Sequence, residues 1–147
     1  MTAGHIARVA AATGSLLLLL AGCGGDKALT KSEWIAQAEA ICIRAGDELD
    51  KLDPDNFDSQ TEFAGAVNDA FAAYIADLRV LTSPPDDQAT ITEWLDLQVK
   101  LAEARKRFLV SDGGQRATET FSKTAAPISK RADRLIRRFG AAKCAVD

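Results

Sequence analysis

The chain has 147 residues, of which 18 are Lys or Arg and 21 are Asp or Glu, and its formal net charge at pH 7 is −3. Its one histidine, His5, lies in an amino-terminal segment that we expect to be removed. Serine and cysteine nucleophiles normally rely on an imidazole base, and catalytic zinc almost always has an imidazole ligand, so a mature chain without histidine argues against both. No phosphate-binding glycine loop or dinucleotide fingerprint occurs either. We therefore expect no catalysis, no metal ion and no cofactor.

The first 22 residues have the pattern of a lipoprotein signal peptide. Arg8 precedes an apolar run at residues 9–21, and residues 20–23 (LAGC) form a lipobox. The apolar run is well short of the roughly 20 residues that a membrane-spanning helix needs. The Cys23 thiol, which directly follows the predicted cleavage bond, can accept a diacylglycerol group as a thioether. We expect lipidation at Cys23, and a plain secretory peptide cut nearby is the alternative.

Cleavage before Cys23 leaves 125 residues, which suits a single domain. Residues 23–29 are predicted to be the lipidated cysteine and a short flexible tether, because the glycines and charges of residues 24–27 (GGDK) disfavour packing. Residues 30–147 form the predicted domain. No later segment is apolar over a length that could span a membrane.

Two further cysteines, Cys42 and Cys144, remain after the lipid site. Export places them in an oxidising compartment, where such a pair is expected to form a disulfide. The bridge closes a loop of about 100 residues, a length for which the chain-entropy model gives a large stabilisation. Two buried free thiols are the alternative.

The first predicted helix starts at residues 30–33 (TKSE), which fit a capping box in which Thr30 and Glu33 satisfy each other's backbone amides. Apolar residues then recur at steps of three and four, and residues 53–55 (DPD) end the helix. This spacing places one apolar stripe on the helix. The stripe consists of Ile35, Ala38, Cys42, Ala45, Leu49 and Leu52.

The second and third predicted helices repeat the pattern. Residues 59–62 (SQTE) form a second capping box, and residues 83–85 (SPP) stop the second helix. The third helix follows the acids at 86–87 and ends near the glycine turn at 111–114. The stripes are Phe63, Val67, Ala70, Tyr74, Leu78 and Leu81, then Trp94, Leu97, Leu101, Ala104 and Phe108.

The fourth predicted helix contains a proline. Pro127 removes an amide donor and clashes with the preceding turn, so we expect a kink around residues 124–127 or two shorter helices sharing one stripe. Gly140 is placed to adopt the left-handed conformation that ends a helix. The stripe is Phe121, Ala125, Ile128, Ala132, Leu135 and Phe139.

Four amphipathic helices with short connections predict an all-α fold, an up-down bundle in which helix four lies antiparallel beside helix one. The disulfide then links helix one to the carboxyl-terminal tail. Helix four is expected to end level with the middle of helix one. Trp34 would project toward the tether and the membrane, or pack as a lid on the bundle end. A bundle with one long crossover is the alternative.

Acidic residues crowd the first connection, where calcium is the obvious interpretation to test. An EF-hand loop started at Asp53 puts Phe57 where an oxygen ligand belongs and Ala64 where a bidentate acid belongs. We therefore predict a solvated turn with helix-capping acids and no metal site.

Charge is segregated along the chain: residues 24–97 contain 5 basic and 16 acidic residues, and residues 98–147 contain 12 basic and 5 acidic. The structural interpretation is that the acidic first helix pairs with the basic fourth, or that the basic side chains are simply solvated. The functional interpretation is a patch for anionic headgroups or cell-wall polymers. The basic residues are Lys130, Arg131, Arg134, Arg137 and Arg138.

The run KSEWIAQAEAIC at residues 31–42, together with Phe139, Gly140 and Cys144, resembles small secreted or lipid-anchored helical proteins common in actinobacteria. The resemblance covers both ends of the domain, and the middle matches only in helical pattern. It implies a disulfide between the first helix and the tail. It implies no activity, substrate or catalytic residue, because most of these proteins are uncharacterised.

These features predict a non-catalytic binding or envelope-associated module, held by lipid on Cys23 at the outer face of the cell membrane. Its expected partners are the membrane and an anionic envelope component or a protein, and not nucleic acid. The alternative function is a carrier of a small apolar ligand in the bundle core. A cavity of several hundred cubic ångströms lined by the stripe residues would favour the carrier.

Overall fold

The computed structural model describes residues 28–111 and 114–145. The predicted signal peptide, the predicted lipidation site Cys23 and most of the predicted tether lie outside the described residues. Within them the chain forms four α-helices and no β-strand, so the predicted all-α, four-helix fold is confirmed. The helices are α1 (Lys31–Leu49), α2 (Gln60–Arg79), α3 (Gln88–Leu109) and α4 (Gln115–Phe139), and single 3-10 turns occur at Pro54–Asn56, Pro85–Asp87 and Ala142–Cys144.

The amino-terminal caps of α1 and α2 match the predicted capping boxes, with one difference. The Thr30 hydroxyl accepts from the Glu33 amide, and the Glu33 carboxylate accepts from the Thr30 amide at 2.8 Å, so the first capping box is confirmed. Ser59 accepts from the Glu62 amide at 3.2 Å, as predicted. The Glu62 carboxylate, however, accepts from the Asp58 amide at 3.0 Å instead of that of Ser59, so the second box is only half formed.

The fourth helix is one continuous element from Gln115 to Phe139, so the two shorter helices offered as an alternative do not form. Pro127 is exposed. Because proline has no amide hydrogen, the backbone carbonyl one turn earlier receives no hydrogen bond from it and can be hydrated instead. Gly140 ends the helix at a φ of 114°, which confirms the predicted left-handed cap.

One end of the bundle, which we call the tether end, contains the starts of α1 and α3 and the end of α4. The Lys31 ammonium lies 3.2 Å from the Asp87 carboxylate, and the Trp34 ring centroid lies 5.3 Å from that of Phe139. Helix α4 therefore ends level with the first turn of α1, and the prediction that it ends beside the middle of α1 is wrong. The chain turns back along α1 after Gly140, and this return was not evident from helical periodicity.

Trp34 is buried within the bundle and does not project from it. Its side chain is 0% exposed and makes edge-to-face contacts with Phe139 and Trp94, whose ring centroids lie 5.3 and 6.3 Å away. The prediction of a projecting tryptophan is therefore wrong, and the alternative, in which Trp34 packs at the bundle end, is confirmed, because the end of α4 covers the first turns of α1. This packed half of the bundle is built from Trp34, Ala38, Ile41, Leu78, Ile91, Trp94, Leu97, Ala132, Ile136, Phe139, Ala141 and Cys144.

The tail joins α1 to α4 where the helices themselves separate. The backbones of α1 and α4 approach each other far less than those of the other neighbouring helices, and the 3-10 turn Ala142–Cys144 contacts both. The predicted disulfide is confirmed: Cys42 and Cys144 are bonded, with Cα atoms 5.2 Å apart. Beyond this bridge, away from the tether end, the gap between α1 and α4 stays open.

Candidate binding cleft

The open half of the bundle contains a cleft of about 620 Å³. This volume lies within the range of about 300 to 1,000 Å³ that is typical of small-molecule sites. The lining combines apolar stripe positions of all four helices with the tail and a few polar side chains. These residues are Cys42, Ala45, Gly46, Leu49, Asp50, Phe71, Tyr74, Gln98, Leu101, Arg105, Phe121, Ser122, Ala125, Ala126, Ser129, Lys143, Cys144 and Ala145.

The cleft exists because α1 and α4 present small side chains where the bundle separates. Ala45 and Gly46 face it from α1, and Ala125 and Ser129 face it from α4. A β-carbon added to Gly46 would meet no atom within 4 Å. Protein cores otherwise pack as densely as organic crystals. The unfilled volume is therefore a consequence of residue size at these positions, and a larger side chain at residue 46 has room to enter.

The disulfide forms the end of the cleft nearer the packed half. The Tyr74 hydroxyl lies 3.7 Å from the Cys42 sulfur, and it must be the donor because a disulfide sulfur has no hydrogen. Burial raises the pKa of Tyr74, since the phenolate loses more hydration than the neutral phenol. This end of the cleft is therefore neutral apart from Lys143, which is exposed.

The opposite end of the cleft contains a half-buried cation. The Arg105 guanidinium lies over the Phe71 ring, 3.7 Å from its centroid. Burial lowers the pKa of Arg105, because desolvation disfavours the charged form. Within the described residues, no carboxylate lies within 4.0 Å of this guanidinium. Counting from the starts of α1 and α3, Arg105 lies about 9 Å further along the bundle than Cys42.

The sequence analysis did not predict this cleft, although the sequence contains one indication of it. The α3 stripe runs through Leu101, Ala104 and Phe108, and Arg105 follows Leu101 by four residues, so a charge borders the apolar stripe. Tyr74 was predicted to lie in the core; it packs against the core as predicted and also lines the cleft. Neither position could be placed at a cleft, because the gap between α1 and α4 depends on tertiary packing.

The predicted basic residues all lie exposed on α4. Arg131 pairs with Glu93 of α3 at 2.6 Å, and not with the first helix. Two described ion pairs of α1 are with α2 (Arg44 to Asp77) and with the turn before α3 (Lys31 to Asp87). The Arg131 pair therefore differs from the suggested pairing with the acidic first helix, and the exposure of Lys130, Arg134 and Arg138 agrees with the alternative that basic side chains are solvated. The basic set is Lys130, Arg131, Arg134, Arg137 and Arg138.

The acidic first connection forms a capped turn. The Asp53 carboxylate accepts from the Asp55 amide at 2.9 Å at the start of the 3-10 turn Pro54–Asn56. Among residues 28–111 and 114–145, no three His, Cys, Asp or Glu side chains come together in a way that could hold a metal ion. In the same residues, no helix has the length and apolar character to cross a bilayer.

No protein-family model, curated protein or solved structure matches this chain.

Proposed function

We propose that this protein is a lipid-anchored, non-catalytic binding protein of the outer face of the cell membrane, attached through Cys23, which holds a small apolar ligand in the cleft. The observation that carries the proposal is the 620 Å³ cleft, whose walls are the apolar stripes of four helices. A ligand that buries apolar surface there gains about 25 cal/mol for each Å² removed from water. The carrier is thus favoured over a module with a filled core.

The lining of the cleft supports binding over catalysis. Asp50 is the single carboxylate among its lining residues in the described chain, so no pair of acids converges there. The other polar groups are hydroxyls, one amide and two cations, spread over different helices. Such a set can orient a ligand, and in the described chain none of its hydroxyls is hydrogen-bonded to Lys143 or Asp50, the pairing that would activate a nucleophile.

Filling the cleft at Gly46 is expected to weaken ligand binding at least tenfold. In Gly46→Leu the new side chain enters open space and displaces about two methylene groups of ligand, at about 0.8 kcal/mol each. The measurement is fluorescence titration with the neutral probe N-phenyl-1-naphthylamine. The protein tested is the chain from residue 23 with Cys23→Ser, which contains all four helices, the core and the disulfide.

Gly65→Leu is the matched control for this experiment. Gly65 is also an exposed helical glycine with no atom within 4 Å of an added β-carbon, but it does not line the cleft. Both variants gain helix propensity, so a general change in helix stability affects them alike. We expect Gly65→Leu to bind the probe as the parent does. Equal loss of binding in both variants, or in neither, argues against the cleft as the site.

A second candidate function is docking of the basic end of α4 on anionic lipid headgroups. The observation that favours it is position: Arg134, Arg137 and Arg138 lie near the end of α4, at the tether end where α1 begins. Thr30 lies seven positions after Cys23, and an extended chain over that distance reaches at most about 25 Å. A lipid on Cys23 therefore keeps these cations near the membrane surface, where each contributes about 1 kcal/mol of attraction.

Reversing Arg134, Arg137 and Arg138 to Glu is expected to weaken binding to phosphatidylglycerol vesicles by at least 100-fold at low salt, because three attractions of about 1 kcal/mol each are lost. Cosedimentation of the unlipidated domain measures it, and the difference should shrink as salt shortens the screening length. The control reverses Lys106, Arg107 and Arg116, which lie at the opposite end of the bundle. Binding by the first variant equal to that of the parent would refute this role.

A further inference from the structure

The cation at the far end of the cleft has no partner of opposite charge in the described chain. Arg105 is half-buried, lies 3.7 Å from the Phe71 ring centroid, and has no described carboxylate within 4.0 Å. Charged groups that lose water are normally paired or hydrogen-bonded. The ring face offers only part of that compensation, because it provides no hydrogen-bond acceptor for the remaining guanidinium donors. An anionic ligand group can supply the missing acceptors.

The other charges of the cleft favour a single negative charge on the ligand. Two cations, Arg105 and Lys143, and one anion, Asp50, are among its lining residues. Asp50 is exposed to solvent and lies beyond ion-pair distance of Arg105, so it does not neutralise the half-buried guanidinium. The lining therefore has a net charge of about +1. A monoanion matches this charge, whereas a dianion would exceed it by one.

Resting on the proposed function, we propose that the ligand of the cleft is a single-chain alkyl carboxylate, whose headgroup binds Arg105 and whose chain extends along the apolar walls toward the disulfide. The planar guanidinium matches a carboxylate in bidentate geometry, and such charge-assisted hydrogen bonds are stronger than neutral ones. Leu101, Ala45 and Ala125 line the walls between Arg105 and the Cys42–Cys144 bridge. Phe71 holds the guanidinium on one face, which leaves its donor edges available to the headgroup.

A neutral ligand of the same length would leave Arg105 uncompensated. Its chain buries the same apolar surface. A neutral ligand that covers the guanidinium, however, removes water from the cation without replacing the hydrogen bonds that the water made. The difference in affinity between an alkyl carboxylate and the matching alcohol therefore isolates the headgroup contribution from that of the chain.

The test compares dodecanoate with dodecanol by isothermal titration calorimetry, below micelle-forming concentrations. The protein is the chain from residue 23 carrying Cys23→Ser. We expect dodecanoate to bind at least tenfold more tightly than dodecanol. Arg105→Gln should abolish this preference by weakening dodecanoate binding, while dodecanol binding is retained or tightened because the neutral ligand no longer desolvates a cation. Arg105→Lys should retain part of the preference. Lys106→Gln, the same charge change on the neighbouring exposed residue of α3, should keep the full preference.

Each outcome distinguishes the inference from the proposed function. If dodecanol binds as tightly as dodecanoate, or if Arg105→Gln keeps the preference, the headgroup assignment is overturned and the apolar binding function stands. If neither ligand binds the parent protein, the proposed function itself fails. Retained dodecanol binding by Arg105→Gln shows that the variant is folded. If that binding is also lost, Arg105→Lys decides: preference for dodecanoate in that variant supports the assignment, and its absence counts against it.

Discussion

Loss of the Cys42–Cys144 disulfide is expected to lower the free energy of unfolding by about 4 to 5 kcal/mol. The bridge joins residues that are 102 positions apart, so it removes a large part of the freedom of the unfolded chain. Single domains are stable by only about 5 to 15 kcal/mol, and the unbridged domain is therefore left with a small margin. The same bridge is the covalent link between α1 and the tail that packs between α1 and α4.

Urea unfolding of the Cys23→Ser chain with and without a reductant measures this effect. The double variant Cys42→Ala/Cys144→Ala should unfold at the same urea concentration as the reduced parent, and reductant should not shift it further. The oxidised parent should be more stable, by several kcal/mol, than both the reduced parent and the double variant. Equal midpoints for oxidised and reduced parent would contradict the prediction, because they would mean that closing the long loop contributes nothing.

The bridge also connects stability with the proposed binding site. Cys42 and Cys144 line the cleft, and the Tyr74 hydroxyl donates to the Cys42 sulfur. Without the bridge, the tail is held on α1 only by non-covalent contacts, such as the hydrogen bond from the Lys143 amide to Glu39. Oxidising conditions are therefore needed to fix this end wall of the cleft covalently.

The local features of the fold could be predicted because nearby residues determine them. The Thr30 cap, the Gly140 cap and the four helices each depend on contacts within a turn or two, and the three-four spacing gives the buried stripe of each helix. The disulfide followed from the expected compartment and from the number of cysteines. These predictions needed no knowledge of which helix touches which.

The register of the helices could not be predicted, because a stripe gives the buried face of a helix without giving its height against a partner. Cys144 follows Gly140 by four residues, and the sequence alone does not indicate that the chain turns back there along α1. This return is what allows Phe139 to reach Trp34 while Cys144 reaches Cys42. The error in the position of Trp34 follows directly from that missing turn.

The cleft was missed for a related reason. Ala45 and Ala125 occupy stripe positions and count as apolar, but an alanine fills little of the space between two helices. The sequence pattern records polarity and not volume. A tight core and an open cleft therefore have the same periodicity, and only the separation of α1 from α4 distinguishes them.

Replacing Trp34 with alanine is expected to destabilise the domain by about 3 to 5 kcal/mol, the range for removing a buried aromatic side chain. The Trp34 ring is 0% exposed and packs edge to face on Phe139 and Trp94, so its loss leaves a cavity at the tether end. A tryptophan that projected toward the membrane would have a negligible effect in the unlipidated domain. Urea unfolding of Trp34→Ala therefore distinguishes the two placements.

Trp34→Phe should lower the free energy of unfolding by less than half as much as Trp34→Ala does. Within the described residues the buried Trp34 indole nitrogen has no hydrogen-bond acceptor, and removing an unsatisfied donor recovers about 1 to 3 kcal/mol of desolvation cost. The phenyl ring keeps most of the contact with Phe139. Binding of N-phenyl-1-naphthylamine should be unchanged in Trp34→Phe, because Trp34 lies in the packed half and does not line the cleft. Weakened probe binding in this folded variant would mean that the two halves of the bundle are not independent, and an alanine variant as stable as the parent would place the ring outside the core.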